Sequence, residues 1–356
     1  WLLKSTVMID YRLSKEELAE LRAFAADEYG HDALQPWDVA YYAEKLRQHR
    51  YSISQEEVKP YFPVTRVVPG MFDVVGRLYG VTFQVVEGVD TWHPDVKFYE
   101  IRDHDGSLRG QFYFDLYARQ NKRGGAWMAD CQSRMKTASA EQIPVAYMTC
   151  NFTPPIGEKP ALLTHDEVET LFHEFGHGLH HMLTKVDYSA ISGINGVAWD
   201  AVELPSQFME NYCWEREALN LFAAHYETGE PIPDELYQRM LAAKNFQSGM
   251  MMVRQLEFAL FDFRIHREYD PERGGQRRRP DRRRPADLLH PGAGPGARRA
   301  AAGPARAQPG AEREADARHA QYQMQQERWV QQQKEPAVLM TKFLKLWRLR
   351  NLFGLA

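Results

Sequence analysis

Leu171-Phe172-His173-Glu174-Phe175-Gly176-His177 sets two histidines four residues apart, with a glutamate beside the first. Residues at i and i+4 share one face of a helix. His173 and His177 can therefore offer two imidazole nitrogens to one tetrahedral zinc ion, with Glu174 placed as a general base. The flanking sequence favours a helix. Thr164-His165-Asp166-Glu167 is a capping box, and Val168, Leu171, Phe172, Phe175, Leu179, Met182 and Leu183 recur at helical spacing. A chance match is the alternative, but accidental matches rarely come with a capped amphipathic helix.

A catalytic zinc site needs a third protein ligand and an open coordination position. Beyond a Gly-rich loop, Ser192 to Gly196, comes Trp199-Asp200-Ala201-Val202-Glu203-Leu204-Pro205-Ser206-Gln207-Phe208-Met209-Glu210-Asn211, which reads as a second helix. Glu203 is the preferred third ligand. Asp200 with Glu203 also makes a capping-box pattern, and spacing alone does not choose between the two roles. His180 is a rival ligand. However, His173, His177 and His180 span two turns of one straight helix, too far to meet at one ion without distortion, so His180 is kept as a supporting or packing residue. Glu210 and Asp200 are candidates for orienting the ligand histidines through their second ring nitrogen.

The segments His173 to His181 and Asp200 to Asn211 resemble the thimet-oligopeptidase family of zinc metallopeptidases. So do Leu34 to Asp38, Trp92 to Val96 and Lys122 to Trp127, and the likeness covers roughly residues 10 to 269. It implies one zinc ion per chain held by His173, His177 and Glu203, with Glu174 activating water. It also implies a zincin-like catalytic domain, mainly α with a small antiparallel sheet, here incomplete at both ends. The implied activity is hydrolysis of short peptides, including signal-peptide fragments, in the cytoplasm. Family members stabilise the oxyanion with a Gly- and Tyr-rich C-terminal loop. After residue 270 the only tyrosine is Tyr322 and the only histidines are His290 and His319, none in a matching pattern. A catalytically impaired zinc-binding remnant is therefore one alternative, and a basic-tailed binding protein is another.

The chain has 356 residues, 44% of them hydrophobic, enough for a substantial core. A net charge of −4 makes no case for a nucleic-acid partner. No apolar run of membrane-spanning length occurs, and Cys131, Cys150 and Cys213 suit free thiols in a reducing compartment. A monomer acting on short peptides, with no membrane partner, is expected.

Residues 1–80 read as a helical scaffold: Ser14-Lys15-Glu16-Glu17 caps a helix towards Gly30, another follows Asp38, Ser54 with Glu57 starts a third, and Val68 to Tyr79 forms a fourth. Residues 81–269 read as the metallopeptidase core. Strands are predicted over Val96 to Arg102, Gln111 to Tyr117 and Pro144 to Phe152. An edge strand beside the metal can hold any extended peptide through main-chain hydrogen bonds. That role is assigned to Ala146 through Asn151, with Ala146, Tyr147 and Asn151 as candidate substrate contacts, against the alternative of an ordinary internal strand. Helices follow over Asp234 to Asn245 and Phe246 to Glu268, the last with Met250, Val253, Leu256, Leu260 and Phe261 on its buried side.

Residues 271–320 hold about a dozen arginines and no lysine, with many Ala, Pro and Gly and no aromatic residue. Such a segment is disordered or, since this is what a GC-rich gene yields out of frame, the product of a frameshift after about Tyr269. Residues 321–356 end in a basic amphipathic stretch, Val338 to Phe353, suited in principle to a membrane surface or a partner.

Overall fold

Helices open the chain. The computed structural model describes residues 2–267, beginning with α1 (Leu2–Tyr29), α2 (Val39–Tyr51), α3 (Gln55–Val58) and α4 (Val64–Tyr79). Ser54 caps α3 by accepting the Glu57 N–H, and Gly80 closes α4 in the left-handed conformation that a residue without Cβ adopts freely. The start expected at Ser14 is not a start. The helix already runs from Leu2, and Ser14 lies buried within it. The neighbouring Glu17 caps a different helix: its carboxylate accepts the Gly249 and Met250 N–H groups at 3.2 and 2.7 Å. Likewise α4 begins four residues before Val68, with Pro69 inside it.

The strands are β1 (Val81–Val85), β2 (Lys97–Asp103), β3 (Leu108–Tyr117), β4 (Trp127–Gln132), β5 (Met135–Lys136), β6 (Glu141–Gln142) and β7 (Val145–Phe152). Five of them form one sheet in the order β1-β2-β3-β7-β4, while β5 and β6 pair separately. The sheet is mixed, not antiparallel as expected. The chain leaves β3, runs back along the far side as β4, and returns as β7 between the two, so β7 is parallel to β3 and antiparallel to β4. β4 escaped the sequence reading because its side chains are half-buried or exposed and show no alternation.

The remaining helices are α5 (His165–Met182), α6 (Leu204–Glu210), α7 (Arg216–Phe222), α8 (Asp234–Ala243) and α9 (Ser248–Arg267). α5 carries the predicted capping box in full: Thr164 accepts the Glu167 N–H, and Glu167 accepts the Thr164 N–H. Phe175, in the middle of the histidine motif, is fully buried in an aromatic cluster with Phe72, Phe83, Phe112 and Phe114 that fixes α5 against the sheet. Two glycines on α5 permit close approach on either flank. A Cβ at Gly176 would stand 2.6 Å from Pro205 O and Ser206 Cα of α6, and one at Gly178 would stand 2.7 Å from Met148 Sδ of β7. On α9, Met250, Val253 and Leu256 are half-buried, but Leu260 and Phe261 are 52% and 54% exposed, which corrects the buried face expected there. The readings of 271–320 and 321–356 lie outside the described residues.

Candidate metal centre

Burial of Phe172 and Phe175 in the core leaves His173, half-buried, and His177, buried, on another side of α5. Close packing at Gly176 brings α6 across this face. Glu203, at the N-terminal boundary of α6, then reaches both rings: its Oε2 lies 3.3 Å from His173 Nε2 and 3.1 Å from His177 Nε2. One donor atom from each of the three residues falls within 4.8 Å of the others. Glu203 makes no side-chain cap, so the Asp200–Glu203 capping box does not form. Asp200 is exposed and is not among the described hydrogen-bond partners of either histidine.

His173 donates its Nδ1–H to Glu210 Oε1 at 2.6 Å, which leaves the Nε2 lone pair directed at the triad. Burial holds His177 below the usual histidine range despite Glu203 nearby, so its ring stays neutral and can act as a ligand. Its Nδ1 is buried without a described partner. Two imidazole nitrogens and a carboxylate oxygen converging on one point are a donor set that fits zinc. His180 is not part of the convergence; burial foremost lowers it too. Sequence reasoning missed Ser206, which is fully buried and donates to Glu203 Oε2 at 3.0 Å and to Glu203 O at 2.8 Å. Its place in the first turn after Glu203 was the available signal.

Glu174 is 8% exposed. Burial raises its carboxyl above the ordinary range, against the opposing pull of His173 and a hydrogen bond from the Met128 backbone N–H of β4. The strand carrying that N–H is one of the two edge strands of the sheet. β7 is paired on both sides, so the edge role assigned to Ala146 through Asn151 is withdrawn. Ala146 is fully buried, and Tyr147 stacks on Tyr113 on the other face. Asn151 instead donates to Arg123 O and Gly125 O at 2.8 and 2.6 Å, shaping the turn that leads into β4. A cavity of about 860 Å³ opens at His173 and Glu174 and runs past Glu210 towards α2, α8 and α9.

The model of Peptidase family M3 matches residues 3–279. The chain belongs to peptidase family M3. By family it is a metallopeptidase. This M3 chain is 62% identical over 263 residues to oligopeptidase A of Escherichia coli (strain K12), a match covering 74% of the chain and 39% of that relative. Over the same length and coverage it is 60% identical to oligopeptidase A of Salmonella typhimurium and 56% identical to that of Haemophilus influenzae. The M3 chain thus spans about 39% of the length of these curated relatives. Among its described residues no helix is long and apolar enough to cross a membrane.

Proposed function

We propose that this chain carries the catalytic centre of a zinc-dependent oligopeptidase that cleaves short peptides in the cytoplasm, signal-peptide fragments among them, on a zincin-like scaffold. The observation that supports this most is the meeting of His173 Nε2 and His177 Nε2 at one Glu203 oxygen, next to the buried Glu174. Zinc held by these three residues would polarise a peptide carbonyl and acidify water. Glu174 takes a proton from the attacking water onto its carboxylate and returns it to the leaving amine. Its raised affinity for a proton suits both transfers. Glu210 and Ser206 hold His173 and Glu203 in register. The edge strand β4 lies beside Glu174 and can offer its remaining main-chain groups to an extended peptide of any sequence, since such groups are common to all.

The test is zinc stoichiometry combined with hydrolysis of a quenched fluorescent peptide, using Glu174→Gln as control. One equivalent of zinc that depends on His173 and His177, with Glu174-dependent cleavage, is the expected result. Zinc without cleavage would identify an impaired remnant, and no zinc would overturn the ligand assignment. Salt-dependent nucleic-acid binding by residues 271–320 would favour the basic-tailed alternative.

A further inference from the structure

The stripe of α5 that bears the triad histidines continues upstream. Positions 165, 169, 173 and 177 recur every four residues, so His165 and Glu169 repeat the spacing of His173 and His177 two turns earlier. His165 is 4% exposed, and its Nε2–H donates to Cys213 O at 2.9 Å. That bond leaves the lone pair on Nδ1, as backbone carbonyls do for metal-ligating histidines. The Trp214 Nε1–H donates to Glu169 Oε1, turning Oε2 towards the ring. Nδ1 and Oε2 then stand 3.9 Å apart. Both are acceptors, and their separation is too wide to share a proton. It is within the sum of two metal–ligand bonds of about 2.1 Å each, so one ion can touch both. Asp166 brings a third ligand atom, and all three atoms lie within 4.8 Å of one another.

The surroundings favour a cation. All three residues line the cavity that contains His173 and Glu174, where five carboxylates face two basic side chains. The opposing charge is Lys244, which lies 4.8 Å over the Trp214 ring and acts on both His165 and Glu169.

We propose that His165, Asp166 and Glu169 form a second site for a divalent ion of the zinc or cobalt kind, roughly 12 Å along α5 from the triad. An ion held there narrows the cavity beside the triad without taking part in the triad's chemistry. The site does not depend on the triad holding zinc.

Cobalt(II) titration of the full chain, followed by visible absorption and counted by equilibrium dialysis, tests this. Two equivalents are expected for the native chain, one for the His173→Ala/His177→Ala double variant, and one for Glu169→Gln. The last substitution keeps an acceptor for Trp214, and near-UV circular dichroism checks its fold. Lys244→Met is expected to raise the affinity of the second equivalent severalfold. Binding of none by the double variant, or an unchanged titration for Glu169→Gln, would overturn the second site. Failure of the triad reading looks different: a single equivalent that survives the double substitution and disappears in Glu169→Gln.

Discussion

Asp115 and the triad are both charge clusters set against the same sheet, and they are wired in opposite ways. Asp115 is 3% exposed and accepts from Trp92 Nε1 at 2.9 Å, from Arg119 at 2.6 and 2.8 Å, and from Lys122 at 2.8 Å. Lys122 directs further bonds to the carbonyls of Asp115, Tyr117 and Cys150. Donors there meet acceptors. In the triad, two imidazole nitrogens converge on one carboxylate oxygen, and Glu210 and Ser206 hold that arrangement from outside. The first pattern stabilises a fold. The second is the arrangement that the proposed zinc site would use.

The contrast is open to test. His177→Ala should remove both the triad's zinc and peptide hydrolysis, whereas Glu174→Gln should keep that zinc and slow hydrolysis by about 10²–10⁴-fold. Metal analysis beside a peptide assay reads both, and zinc loss in Glu174→Gln would break the division of roles. Lys122→Met leaves Asp115 and three carbonyls short of a donor, and should lower unfolding free energy by about 3–5 kcal/mol in urea titrations. A change below about 1 kcal/mol would mean that the Asp115 cluster is not a structural anchor. Glu210→Gln should weaken zinc about 10–100-fold in chelator competition while leaving the melting temperature of the zinc-free chain unchanged. An equal loss of zinc-free stability would recast Glu210 as a structural residue.

The smallest effect is in acid. Burial pushes the Asp115 carboxyl up, but hydrogen bonds from Arg119, Lys122 and Trp92 outweigh it and bring it to about 2, below the ordinary 3.8. A depressed carboxyl stabilises the fold above its unfolded value and loses that contribution as pH falls through its folded value. Stability should therefore decline from about pH 4 towards pH 2, and Asp115→Asn should flatten that stretch of the curve. A variant with the same acid slope as the native chain would assign the decline to other carboxylates.

How much of this was legible in the sequence follows from distance along the chain. His173, Glu174 and His177 are neighbours within one helix, and their relation needs only the helical repeat and a capped start at Thr164. Strands β2, β3 and β7 announced themselves through buried apolar side chains, whereas β4, whose side chains lie at the sheet edge, did not. The pattern at Ser14 to Glu17 was legible but misleading, since a capping box says nothing about which helix it caps.

The amino-acid sequence by itself therefore determined the motif, its helix and the two histidine candidates, because each rests on short-range periodicity or on a run of specific residues. Tertiary structure alone decided which strand borders Glu174, that β7 is internal, and that Ser206 supports Glu203. Those facts depend on the order in which strands pair and on how closely α6 can approach α5 at Gly176. Contacts of that kind join residues far apart in the chain, and no local pattern encodes them.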